Sequence, residues 1–288
     1  MSIKTNSAAT SWRQWCLLVA VGLTACSQAP MQMEAQEPHP EPVAAAEAAP
    51  AAEARSTLGT QWGEERESKV TSVTATRLTP NSPQAVAQMR YSDETSIRRA
   101  LKNKASKQRN VLLAHGKVEW SVRNEQDKPL PIYSRQGSRN YMVAGRDGER
   151  YELVYTNRSN RYYEVIATVD GLDVISGQPG SIHNGGYILK PGETLRIDGF
   201  RKSQQEVAAF LFSAKDLAYA SNMPAGDERN VGVIGSALFE VCMDELHTCS
   251  TRSHDQRPKH QRPKRSNKPN PFPGDPPGTY APPPQYRR

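Results

Sequence analysis

The sequence predicts a mainly β protein: an antiparallel β-sandwich of immunoglobulin-like type with one or two short helices, flanked by a disordered N-terminal stalk and C-terminal tail. Three observations predict it. Between Lys117 and Cys249, short stretches of strand-like alternation recur at even spacing. Turn dipeptides punctuate them: Asp170-Gly171, Asn184-Gly185, Pro191-Gly192 and Asp198-Gly199. No long helical pattern intervenes, which favours a sandwich and leaves a small barrel as the alternative this length permits. Of 288 residues, 22 are proline, gathered toward the two ends, so the packed part is smaller than the chain.

Residues 1–25 have the parts of an export signal: basic Lys4 and Arg13, an apolar stretch from Trp15 through Leu23, and small residues after it. The stretch is far shorter than the roughly twenty residues that span a bilayer core. The tetrad Leu23-Thr24-Ala25-Cys26 resembles the lipobox of bacterial lipoproteins. That resemblance implies a diacylglyceryl group on the Cys26 thiol, cleavage just before it and acylation of the new amino terminus. With Ser27 next, it also implies delivery to the outer membrane of a Gram-negative envelope, facing the periplasm. An ordinary signal peptide or an uncleaved anchor is the plainer alternative. Several acyl chains, at about 0.8 kcal/mol per buried methylene, make such an anchor stable. From residue 26 to 57 the chain is rich in Ala, Glu and Pro and poor in large apolar side chains, so it reads as a flexible stalk.

Residues 58–116 read as a mixed strand and basic-helix segment of the domain. Ser68 to Arg77 alternates, imperfectly, like a half-buried strand. Ser92 or Asp93 can cap a helix that begins near Glu94 and places Ile97, Ala100 and Leu101 on one side. Between Glu94 and Glu119 there is no carboxylate, whereas Arg98, Arg99, Lys102, Lys104, Lys107, Arg109 and Lys117 all fall there. Such a stretch suits an anionic lipid surface, at about 1 kcal/mol per charge, or a solvated face turned toward the acidic part of the domain.

Residues 117–250 are the expected sandwich core. Lys117 to Val122, Tyr151 to Asn157 and Arg161 to Asp170 read as strands, the last two joined by the turn-like Asn157-Arg158-Ser159-Asn160 into a hairpin. Leu172 to Ile175, Tyr187 to Leu189, Thr194 to Phe200, Val207 to Ser213 and Val231 to Val241 complete seven or eight strands, with a short helix over Ala214 to Ala220. The run from Tyr163 to Val174, the segment Gly199-Phe200-Arg201-Lys202-Ser203, the segment Asn230 to Gly235 and the upstream Thr60-Gln61-Trp62-Gly63-Glu64 resemble a family of uncharacterised bacterial exported proteins and lipoproteins. The resemblance spans residues 58–241. It implies a shared fold and supplies no catalytic residue.

Reaction signatures are sparse. No Gly-x-Ser-x-Gly elbow, phosphate-cradling loop or dinucleotide fingerprint occurs. Ser181 and His183 share the glycine-rich Gly180 to Gly186 loop, where a ligand could approach, and Asp170 and Asp173 flank a turn without the known separation that a carboxylate pair needs. Of four cysteines, Cys16 leaves with the signal and Cys26 takes lipid. Cys242 and Cys249 then pair as a disulfide in an oxidising periplasm, worth about 2 to 3 kcal/mol. The sharper alternative is zinc on Cys242, His247, Cys249 and His254, whose spacing matches no compact finger pattern.

The formal charge of +7 belongs to the tail, residues 251–288. A tandem repeat there places Arg257, Lys259, Arg262, Lys264 and Arg265 as polyanion-binding residues, ahead of a proline-rich end. Export moves their targets from nucleic acid to anionic envelope polymers or acidic partner proteins. A solubilising tail, or one that folds back on the domain, is the bland alternative. The expected function is a non-catalytic, lipid-anchored interaction module with no cofactor. A small-ligand or carbohydrate-binding lipoprotein and an unrecognised periplasmic hydrolase are the alternatives.

Overall fold

In the computed structural model, the described residues are 55–102, 105–243, 268–274 and 280–286. The expected signal peptide, Cys26 and most of the expected stalk therefore lie outside them, as do Lys104, His247, Cys249, His254 and the five basic residues of the repeat. No helix among the described residues is long and apolar enough to cross a membrane.

Sixteen strands among the described residues form two packed sheets. The first holds seven: β1 (Leu58–Glu67), β5 (Val111–Leu113), β6 (Val118–Asn124), β9 (Arg150–Asn157), β13 (Thr194–Ile197), β14 (Gly199–Arg201) and β15 (Glu206–Ala214). They run in the order β1-β15-β9-β6-β5, with β13 added to β9 and β14 to β15. The second holds nine: β2 (Ala75–Arg77), β3 (Ala85–Asp93), β4 (Ala105–Gln108), β7 (Ile132–Arg135), β8 (Tyr141–Gly145), β10 (Tyr162–Val169), β11 (Leu172–Asp173), β12 (Tyr187–Leu189) and β16 (Val233–Met243). Their order is β11-β10-β16-β3-β8-β7-β4, with β12 on β10 and β2 on β16. The pairing of β3 with β8 is parallel and the others are antiparallel.

Alternation decides which side chains meet between the sheets. On β10, Tyr163, Val165, Ala167 and Val169 enter the main core, while Ile166 faces outward into a second cluster with Ala237, Phe239 and Val241 of β16. That outer cluster is covered in turn by Ile182, Ile188 and Phe272. Both strands are consequently buried on both faces, which explains their near-continuous apolar sequences. The main core is aromatic: Tyr151 stacks on Phe212 with ring centroids 4.2 Å apart, and Tyr91 lies 5.2 Å from Phe212.

Several local expectations are met. Asp170-Gly171 is a two-residue turn joining Val169 to Leu172, with φ of 54° and 77°, the doubly positive pattern that matches hairpin twist. The helix α1 (Glu94–Leu101) begins where expected: Asp93 caps it, its Oδ1 accepting the Ser96 amide at 2.8 Å, and Ile97 and Leu101 are buried against Tyr133 and Ala144. Hydrogen bonds from Ser96 and Thr57 pull the Asp93 carboxyl down to about 2. Asp93→Ala is expected to cost about 1 kcal/mol through the lost cap. Thermal melting of the single variant measures it, and an unchanged midpoint would remove the cap from the account.

Other expectations are corrected. β9 and β10 are not a hairpin: they lie in different sheets, and the turn between them is a corner. Buried Asn157 holds that corner, donating to the Arg161 and Lys190 carbonyls and accepting the Ser159 amide. The strand assigned to Ser68–Arg77 shrinks to Ala75–Arg77, and a longer one, β1, precedes it. The helix over 214–220 is instead a pair of 3-10 turns, Lys215–Leu217 and Ala220–Asn222.

Candidate functional site

Among the described residues, the sequence-predicted ones do not converge. Ser181 is buried but its Oγ accepts the backbone amide of His183 at 3.1 Å, while His183 itself is exposed. The loop is thus held by a local turn bond of the kind serine commonly makes. Cys242 lies opposite Thr76 near the end of β16, with Cys249 outside the described residues. Among the described residues no group of three or more His, Cys, Asp or Glu side chains could hold a metal. The basic stretch is drawn into local contacts in part, since Arg98 donates to Glu94 and to the Tyr133 hydroxyl.

Asp170 and Asp173 are both buried and do different things. Asp173 closes a tight turn, its Oδ1 accepting the Ile175 amide at 3.1 Å, the Ser176 amide at 2.7 Å and the Ser176 hydroxyl at 2.8 Å. Burial raises the Asp173 carboxyl above its ordinary range, with hydrogen bonds from Ser176, Asn184 and the Ile175 amide opposing the rise. Asp170 instead joins the sheets. Its Oδ2 accepts the Thr60 amide at 2.9 Å; its Oδ1 accepts the Gly232 amide at 2.8 Å and the Tyr91 hydroxyl at 2.6 Å. Tyr91 Oη lies 2.8 Å from Thr60 Oγ1, which lies 2.6 Å from Tyr151 Oη.

A single direction of donation satisfies that chain: Tyr151 to Thr60, Thr60 to Tyr91, Tyr91 to an ionised Asp170. Complete burial works against the charge and pushes the carboxyl up to about 6, with hydrogen bonds from Tyr91, Gly232, Thr60 and Val233 opposing the rise. Burial, then the nearby carboxylate, lifts both Tyr91 and Tyr151 well above the usual phenol range. The tyrosines are therefore neutral donors at neutral pH, and the constellation is a polar rivet between sheets.

A different feature was not anticipated in its detail. The proline-rich end, which has neither helix nor strand in its described parts, is seated on the domain. Ala281 is buried, its amide donating to the Arg201 carbonyl at 2.9 Å. The Tyr219 hydroxyl donates to the Pro282 carbonyl at 2.5 Å, and the Gln285 amide donates to the Asn222 carbonyl at 3.0 Å. Gly177, with φ 65°, forms part of the seat: a Cβ there would lie 2.8 Å from both Cα and Cβ of Ala281. Tyr219 is itself backed by aromatic rings, 4.9 Å from Trp62 and 4.5 Å from Phe200, ring centroid to ring centroid. Upstream, Asn270 and Gly274 donate their amides to the Asn230 side chain and the Gly180 carbonyl. The signal that could have found this is the pattern Ala281-Pro-Pro-Pro-Gln285, whose only backbone donors are at its two ends.

A separate surface cleft of about 520 Å³ lies between the start of α1 and the 124–131 and 144–149 segments, lined by Asp93, Glu94, Lys128, Arg146 and Glu149 among others.

Fold and seat together define a two-sheet β-sandwich that holds an extended proline-rich segment of its own chain. Comparison with protein-family models, curated proteins and solved structures finds no match to it.

Proposed function

We infer that this chain is a lipid-anchored cell-envelope protein whose β-sandwich is a non-catalytic interaction module, displaying basic residues toward an anionic envelope polymer or an acidic partner. The placement of the basic repeat carries the reading. Arg257, Lys259, Arg262, Lys264 and Arg265 fall between the end of β16 at Met243 and the seated residues that resume at Lys268. The repeat is thus tethered to the sandwich at both ends, which shortens its reach and keeps its five charges together. The lipobox tetrad supplies the address, Cys26 the lipid, and residues 27–54 the length between membrane and domain. An oxidising compartment pairs Cys242 with Cys249 at the root of the same loop.

Two measurements test the reading in the full chain. Labelled palmitate should enter the wild-type protein in a bacterial host and should be absent from Cys26→Ser. Co-sedimentation with an anionic envelope polymer such as lipopolysaccharide should weaken steeply with salt. It should fall about tenfold or more when the five repeat residues are changed to serine, since each lost charge removes part of a summed electrostatic attraction. Binding that ignores both salt and the five substitutions would refute the basic-loop role.

A further inference from the structure

We propose that the seat formed by Gly177, Arg201, Tyr219 and Asn222 is a binding site for extended proline-rich peptide segments, occupied here in cis by residues 280–286. The proposal needs neither the lipid anchor nor the basic repeat.

The sandwich builds the seat without help from the segment. Asn222 is held by its own side-chain amide, which donates to the Asp216 and Ala218 carbonyls at 2.7 and 2.8 Å. The Tyr219 amide donates to the Thr60 carbonyl at 2.7 Å, and its ring leans on Trp62 and Phe200. Arg201 is part of β14, its guanidinium donating to Ser68 and to the Tyr187 hydroxyl. Donors and acceptors that stay oriented when the ligand leaves are what a recognition site requires, because ordering them is not charged to each binding event.

The chemistry of the seat selects its ligand. A run of prolines has no amides, so an extended proline segment can be read only through its carbonyls, its ring faces and the donors that flank it. The Tyr219 hydroxyl takes a proline carbonyl; the Arg201 and Asn222 carbonyls take the two flanking amides. Ala281 is buried with its Cα and Cβ close against Gly177, so the site asks for a small residue before the prolines. Aromatic walls that read a preformed polyproline helix are a recurrent mode of peptide recognition. The tethered segment competes at high effective concentration, which keeps the site closed until a partner or a weakened strap opens it.

The test uses the full chain and a fluorescent peptide of residues 280–288, with binding followed by anisotropy. Ala281→Arg in the protein should displace the strap. The peptide should then bind about tenfold or more tightly than it binds wild type, whose seat is filled. A peptide carrying the same Ala281→Arg change should bind neither protein, and adding Tyr219→Phe to the protein should weaken binding several-fold. Gln285→Pro, which deletes the amide that Asn222 accepts without placing a charge against the seat, gives the same ranking by a milder route should Ala281→Arg fail to fold. Equal binding of the two peptides, or no peptide binding to either folded strap variant, would overturn the proposal.

Discussion

Asp170→Asn is expected to lower the unfolding free energy by about 2 to 4 kcal/mol at neutral pH, measured by urea titration, because Thr60, Gly232 and Tyr91 all donate to that carboxylate. An asparagine nitrogen must face either the Thr60 amide or the Gly232 amide, leaving two donors opposed in a buried site. Asparagine also tolerates the positive φ at this turn position, so the substitution isolates the polar effect from backbone strain. The pH dependence has an unusual sign. The folded carboxyl is raised from 3.8 to about 6, so between those values the native state binds more protons than the unfolded state. The favourable contribution is full below about pH 4 and is lost as pH rises through 6, a displacement worth on the order of 3 kcal/mol. The gap between wild type and Asp170→Asn should therefore widen on going from pH 7.5 to pH 4. Carboxylates that titrate alike in both proteins, Asp93 and Glu94 among them, cancel from that difference. A gap that narrows instead would mean that the three donors outweigh burial.

What could be read from the sequence was local. The Asp170-Gly171 turn and the Asp93 cap were legible because each is fixed by residues within a few positions of one another. β12 was legible at both ends for the same reason, bounded by its own turn signals. β1 was not, because its polar, glycine-bearing sequence is made a strand by its neighbours. A Cβ at Gly59 would lie 2.5 Å from Ala218 Cβ, and one at Gly63 would lie 2.5 Å from the Ala209 carbonyl oxygen. Close approach, which only glycine permits, here overrides weak strand propensity. The parallel pairing of Met89 through Asp93 with Tyr141 through Gly145 joins segments that no turn connects, so no nearby residue announces it. For the candidate site, the charge of the repeat could be counted from the sequence. The seat of Ala281 could not, since Gly177, Arg201 and the pair Tyr219 and Asn222 come from three separate stretches of chain.

Arg77→Met is expected to cost about 3 kcal/mol and to loosen the Gly180 to Gly186 loop. Arg77 stands on the short strand β2, and its guanidinium does three things at once. Its Nε donates to Glu164 Oε2 at 2.5 Å; Nη1 and Nη2 donate to the Ile182 and Asn184 carbonyls at 2.9 and 2.6 Å; and its plane covers the Phe239 ring at 4.0 Å. Glu164 completes the clamp by accepting the Gly186 amide at 2.8 Å. Both charged side chains are largely withdrawn from water, at 15% and 13% exposure, so removing one leaves the other poorly solvated without its partner. The double change Arg77→Met with Glu164→Met should for that reason cost less than the sum of the two single changes. Arg77→Lys should recover only part of the loss, because an ammonium cannot reach a carboxylate and two carbonyls in one plane. Hydrogen exchange gives the local readout: the Gly186 amide should exchange faster in Arg77→Met than amides of β9 in the same protein. If stability changes by less than about 0.5 kcal/mol and that amide keeps its protection, the loop is held by its own turn bonds and the clamp is incidental. If the double variant costs the full sum, the two side chains act separately and the ion pair contributes nothing beyond its members.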